Sequence, residues 1–300
     1  MRLPLPFGRS ELHTSDRPSS TAQWTTLGRA LELNRSERIV TDEYAPVFLS
    51  RPSRAVRGAL TASGPALRAA ERLTLAGLAT SGLCRYRFID EHLLTALPQV
   101  DQVMILGAGY DTRAYRFATQ IGSRPVYEVD LPPLSRRKAA MVAARPNRFG
   151  HASVHRVEID FRTQSLPERL AGSGFAPGGR TFVAWEGVSM YLTRAAVDAT
   201  LAALATVCGA GSVVAMDFWQ RVGGVGGRRL RLGAERGMVL LGEPIGFAWP
   251  AADADALFAP HGFDVIDLAE AAEMTRRYAT GGRACDPGMY VVAAQLAQLA

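Results

Sequence analysis

Cysteine is scarce: Cys84, Cys208 and Cys285 are the only three in 300 residues, and no two form a Cys-x-x-Cys pair. This excludes a disulfide framework and offers no Cys/His metal cluster, so reduced, structural thiols are expected. Lysine is scarcer still, with Lys138 alone among the arginines. The formal net charge of +6 is therefore arginine charge scattered along the chain, not a basic tract. That argues for a solvated surface, with a leaning toward anionic substrates, and against nucleic acid. No apolar run reaches the roughly 18 residues needed to cross a bilayer. The opening MRLPLPFGRSELHTSDRPSS also lacks the continuous apolar core of a secretory signal. A cytoplasmic chain with no membrane partner is expected.

What is present is ordinary globular material, 48% hydrophobic and 21% charged, enough for one large core with an appended subdomain. Residues 1–20 mix Pro, Ser and charge without a period and read as a flexible arm. Ala22, Leu27, Ala30, Leu31 and Leu33 suggest an amphipathic helix, and Leu60, Leu67, Leu73, Leu75 and Leu78 continue helical material up to Cys84. An N-terminal helical cap over 21–100 follows. Residues 101–300 alternate short apolar runs with helical stretches. The runs Val103 to Leu106, Val126 to Val129, Val154 to Ile159, Thr181 to Trp185 and Ser212 to Met216 read as buried strands. Helices are expected over Ala114 to Ile121, Leu134 to Ala144 and, capped by Thr193, Ala195 to Cys208. Val265 to Leu268 and Tyr290 to Ala294 complete a seven-stranded, mostly parallel α/β sheet of Rossmann-like type, the last two as an antiparallel pair. Between them Gly223, Gly224, Gly226 and Gly227 precede Leu230 to Leu241, an inserted lid over about 219–250.

The segment VMILGAGYDTRAYRF carries the most chemistry, because a buried strand runs through Gly107-Ala108-Gly109 into a helix. Gly107 and Gly109 allow a tight turn and close approach of backbone to a ligand. A dinucleotide fingerprint would have a third glycine where Thr112 stands and would leave the helix N-terminus free for pyrophosphate. Asp111 stands there instead. Its carboxylate repels phosphate but suits a ligand with an ammonium, a sulfonium and no phosphate, which describes S-adenosylmethionine; capping the helix is the plainer alternative. The second strand ends in Asp130, placed to accept hydrogen bonds from both ribose hydroxyls or merely to cap before Pro132. Glu128, two residues earlier, reads as structural. The third strand ends in Asp160 and Phe161, suited to an adenine amino group and to stacking. Glu186, directly after TFVAW, must face a cleft or be buried at high cost.

LGAGYDTRAYR, YEVDLP, IDFR and WEGVSMYL, in this order and spacing, resemble the motifs of the leucine carboxyl methyltransferase family. Upstream, TTLGRALELNRSERIVTDEYAPVFL and CRYRFID resemble the N-terminal portion of actinobacterial S-adenosylmethionine-dependent methyltransferases of that family, so the resemblance covers nearly the whole chain. It implies a class I methyltransferase fold with S-adenosylmethionine as cofactor. It further implies that Arg85 binds the methionine carboxylate, Gly107 lies in the glycine turn, Asp130 holds the ribose, Asp160 and Phe161 hold the adenine, and Glu186 faces the amino group.

Methyl transfer from a sulfonium is an in-line displacement that depends on positioning and exclusion of water. The five histidines, at 13, 92, 151, 155 and 261, are poorly placed for a general base. An acceptor that arrives ionised is favoured, held by an arginine such as Arg87 or Arg113 and oriented by Tyr191. The leading expectation is an O-methyltransferase acting on a small-molecule carboxylate or hydroxyl in secondary metabolism. The alternatives are protein C-terminal carboxyl methylation, a non-catalytic cofactor-binding protein and a dehydrogenase.

Overall fold

The computed structural model describes residues 20–62, 77–150, 152–161, 163–221 and 246–297. Residues 1–19 of the expected arm, Leu67 to Leu75, His151 and the Leu230 to Leu241 helix of the expected lid lie outside the described residues.

Seven strands form one sheet: β1 (Gln102–Leu106), β2 (Val126–Asp130), β3 (Val154–Glu158), β4 (Thr181–Trp185), β5 (Val213–Trp219), β6 (Phe263–Glu270) and β7 (Met289–Leu296). Their order is β3-β2-β1-β4-β5-β7-β6. β1, β2, β3, β4 and β5 run parallel, and β7 is antiparallel to both β5 and β6. This is the seven-stranded, mostly parallel α/β fold expected from the alternating pattern. The chain order reverses between β1 and β4, so the loops after both strands open on one crevice at the carboxyl edge of the sheet.

The strands form where they do because β1, β2, β4 and β5 are buried at every position, which suits their mostly apolar and aromatic residues, while the buried acids of β2 and β5 have partners. β3 departs from the expected buried strand. It is an edge strand, so His155 is exposed and only Val157 in its span is buried. β5 is longer than the apolar run suggests, continuing through Asp217 to Trp219, all buried.

The principal helices are α1 (Ser20–Glu32), α2 (Ala45–Phe48), α3 (Arg51–Thr61), α4 (Leu78–Ala96), α5 (Arg113–Arg116), α6 (Ala118–Ile121), α7 (Pro132–Ala143), α8 (Arg194–Val207), α9 (Ala254–Phe258) and α10 (Ala271–Tyr278). α4 runs well past Cys84. Its Phe88, Ile89 and Leu93 are wholly buried in the same core as Val103, Ile105, Ala184 and Ala215 of the sheet. Each such side chain contributes about 1.5–3 kcal/mol, so α4 is held to the sheet by its apolar side. The helix expected over 114–121 is two short pieces, α5 and α6, meeting at Phe117. α7 starts at the Pro132-Pro133 pair, whose fixed φ suits a first turn. Thr193 caps α8 as expected, its Oγ1 accepting the Ala196 N–H at 3.2 Å, a contact worth about 1 kcal/mol. The opposite sheet face carries a second core of Met104, Leu106, Trp185, Leu201, Leu204 and Phe258.

Candidate active site

The first strand-to-helix turn is built on backbone that side chains rarely adopt, with φ of 64° at Gly107 and 38° at Gly109. At Gly107 a Cβ would collide with the Val188 side chain from the loop after β4. Glycine is therefore demanded twice there, by conformation and by space. Asp130 closes the turn from the next strand. Its Oδ2 accepts the Gly109 N–H at 2.5 Å and its Oδ1 accepts the Leu131 N–H at 2.7 Å. Burial pushes this carboxyl up from its ordinary value, opposed by those two N–H groups and by Lys138. Glu128 takes the structural role: it is buried and paired with Lys138 Nζ at 2.8 Å. The single lysine of the chain is thus an internal counter-ion beneath the turn, its Nζ also 3.4 Å from Ala108 O.

Beside the turn lies a buried network of charge. Arg85, on α4, places Nε 3.0 Å from Glu186 Oε1 and Nη1 2.9 Å from Asp217 Oδ2. Asp217 also accepts the Gly187 N–H at 2.6 Å. Arg113, at the start of α5, donates from Nε to Asp90 Oδ1 at 2.8 Å, from Nη2 to Tyr86 O at 3.1 Å and from Nη1 to Asp111 Oδ2. Its Nη1 is also 2.7 Å from Glu186 Oε2, an ion-pair distance outside hydrogen-bond angles. The Tyr86 ring lies under this guanidinium at 3.9 Å, with Arg29 at 4.5 Å and Arg116 at 4.7 Å. Burial foremost pushes the Tyr86 phenol up to about 12, against the pull of those arginines, so it remains a neutral hydroxyl donor and acceptor. Burial likewise pushes Asp90 and Asp217 up, opposed by their arginines.

Asp111 behaves differently. Burial pushes its carboxyl up, but Arg113, Lys138, the residue 113 N–H and Arg29 together hold it below the ordinary 3.8. A folded value below the unfolded one near 3.9 gives stability that is complete above the unfolded value and lost as pH falls through the folded one. Asp111→Asn is expected to lower the melting temperature at pH 7 and to flatten its decline below about pH 4. Parallel decline of variant and parent in thermal melts across that range would refute the assignment.

The fold therefore brings Arg85, Asp111, Arg113 and Glu186 into one cluster and sets Gly107, Gly109 and Asp130 beside it. Arg113 is wholly buried and all three of its side-chain nitrogens face protein oxygens, so it pairs with Asp90, Asp111 and Glu186. Arg87 pairs with Glu91 on the surface and is not part of the cluster. Asp160 and Phe161 follow β3, next along the carboxyl edge from Asp130, whose backbone O accepts the Ile159 N–H at 2.9 Å. Phe161 is partly buried against the second core. Tyr191 ends a short 3-10 turn after β4, its hydroxyl 3.3 Å from Thr21 Oγ1 at the start of α1. Of the described histidines, His92 meets Asp267 at 3.1 Å, His155 stacks on Tyr127 and His261 lies 3.5 Å from Asp198. None contacts the cluster. Sequence reasoning missed Asp217, Asp90 and Tyr86. The one available signal for Asp217 is an acid inside the apolar run VVAMDFW, which a buried strand tolerates only with a partner.

This cluster can hold a ligand with mixed charge. Its four arginines, 29, 85, 113 and 116, face five carboxylates, 42, 90, 111, 186 and 217, a surplus of one negative charge. Among the described residues no group of His, Cys, Asp and Glu could hold a metal ion, and no helix is long and apolar enough to cross a membrane.

A match to the family described as leucine carboxyl methyltransferase spans residues 22–205. A provisionally named S-adenosyl-L-methionine-dependent methyltransferase of Streptomyces coelicolor is 34% identical over 206 residues, covering 67% of this chain and 69% of that protein. A protein of the same provisional name from Rhodococcus jostii is 34% identical over 205 residues, 66% of each chain. Among solved structures, a Thermobifida fusca protein, provisionally described as a methyltransferase, superposes with a TM-score of 0.58 at 14% identity. That superposition covers 95% of this chain and 97% of the other, and speaks for the fold alone. The glycine turn, its acidic partners and a family match over more than half of its length show that this chain belongs to the leucine carboxyl methyltransferase family.

Proposed function

We propose that this S-adenosylmethionine-dependent methyltransferase methylates oxygen, on a carboxylate or activated hydroxyl of a small molecule of secondary metabolism. The observation that carries the cofactor side is the Gly109 N–H, which donates to the Asp130 carboxylate at 2.5 Å. A dinucleotide enzyme would leave the helix start free for a phosphate, whereas here Asp111 stands just before α5 and would repel one. The negative surplus of the arginine–carboxylate cluster complements a ligand carrying a sulfonium, an ammonium and one carboxylate. In this reading Asp130 holds the ribose, Asp160 and Phe161 the adenine, Glu186 the amino group and Arg85 the carboxylate.

When bound, the cofactor supplies an electrophilic methyl group on a positive sulfur. The chain's own task is to bring an oxygen onto the line of that bond and to keep water out. Tyr191 orients the acceptor from the loop after β4, beside the start of α1. With the described histidines engaged elsewhere, an acceptor already ionised needs no base, and a carboxylate meets that condition at neutral pH.

Incubation of the protein with methyl-labelled donor and a panel of metabolite carboxylates and phenols is expected to yield label on oxygen, as base-labile ester or base-stable ether. Label on nitrogen or sulfur, or only on the C-terminal carboxylate of a peptide, would overturn the proposal.

A further inference from the structure

Two of the three cysteines, 201 positions apart in sequence, lie on segments that pack together in the fold. Cys84 is fully buried on α4, and Cys285 is half-buried in the segment between α10 and β7. Both belong to the core between the helices and the sheet. The segment rides directly on the start of α4. Gly77, at φ 90°, leaves so little room that a Cβ there would lie 2.6 Å from Ala284 O and 2.9 Å from Asp286 N. Ser81, three residues before Cys84 and hence on the same side of α4, accepts the Asp286 N–H at 2.7 Å. Thr275 Oγ1 accepts the Cys285 N–H at 2.9 Å. These bonds hold residue 285 over the 81–84 turn, on the side of α4 that carries Cys84.

We propose that Cys84 and Cys285 form a reversible disulfide, a redox modification site that staples α4 to the segment entering β7. The oxidant is a peroxide. The Cys285 sulfur attacks one peroxide oxygen, the O–O bond breaks, water leaves and a sulfenic acid remains. The Cys84 sulfur then attacks that sulfur, the S–O bond breaks, and the hydroxyl leaves as a second water with the Cys84 proton. Two thiols and one peroxide thus become one disulfide and two waters. Cys285 reacts first because it is the more exposed, and because its neighbour Cys84 lowers its thiol pKa against the opposing effect of burial. Cys84 is buried and cannot meet the oxidant before its neighbour does. The staple lands one residue from Arg85, so it fixes the helix that carries the Arg85 contacts to Glu186 and Asp217. The inference rests on these contacts and not on the methyl-transfer reading.

The full-length protein treated with stoichiometric hydrogen peroxide is expected to lose two hydrogens in intact mass and to yield one non-reduced peptide pair joining Cys84 to Cys285. Its melting temperature is expected to rise by roughly 5–15 °C, because the cross-link closes a long loop in the unfolded chain. Dithiothreitol should reverse both changes. Cys285→Ser and Cys84→Ala should abolish them, and Cys208→Ser should leave them intact. Peptide mapping of the unmutated protein decides the matter even if a variant fails to fold. Accumulation of sulfinic acid at Cys285, or continued alkylation of both thiols after peroxide, would overturn the proposal.

Discussion

Arg113→Met is expected to destabilise the protein by about 3–5 kcal/mol, the usual cost of removing one partner from a buried charge cluster. For a chain of this size that is a fall in melting temperature of roughly 6–20 °C. Methionine keeps much of the apolar stem over the Tyr86 ring but takes a guanidinium away from Asp90, Asp111 and Glu186. Each acid keeps one other contact: Asp90 with Arg116, Asp111 with the residue 113 N–H, Glu186 with Arg85. The loss should therefore fall short of unfolding the chain. Arg113→Lys is expected to be intermediate, since a single ammonium cannot span three carboxylates. Thermal denaturation of both variants checks this, and a Met variant within a degree of the parent would show that the cluster does not depend on Arg113.

The second large effect is on ligand affinity. Asp130→Asn is expected to weaken S-adenosylhomocysteine binding by about 10- to 100-fold, as loss of charged hydrogen bonds worth about 1.5–3 kcal/mol implies. The carboxylate accepts the Gly109 and Leu131 N–H groups, and in the proposed reading its remaining lone pairs serve the ribose. An amide presents a donor where at least one of those N–H groups needs an acceptor, so the glycine turn loosens as well. Calorimetry against S-adenosylhomocysteine gives the readout, with the melting temperature of the free protein as control. Unchanged affinity with an intact fold would remove Asp130 from the ribose role.

Much of the fold was legible in the residues because the sheet is buried on both faces. Runs such as QVMIL and TFVAW have few other places to go, and the Gly-x-Gly turn and the Pro132-Pro133 start are punctuation that backbone geometry enforces. The errors occurred where local pattern loses to packing. β3 reads as buried but is an edge, the 114–121 helix breaks at Phe117, and β5 continues through Asp217. Of the site, the acids that end strands were visible as charges at apolar boundaries. Asp217 was hidden because its partner, Arg85, lies 132 positions earlier, on a different element.

The amino-acid sequence by itself determined the architecture: strand and helix periods, the glycine turn and the acids at strand ends follow from local stereochemistry and hydrophobicity. Only the tertiary structure decided who neutralises whom. It made Arg113 an internal support for three carboxylates, buried the lone lysine beneath the turn as the partner of Glu128, and set Cys285 against Cys84. A buried charge or thiol acquires its character from whatever the chain folds against it, and one-dimensional spacing carries no record of contacts made across the sheet.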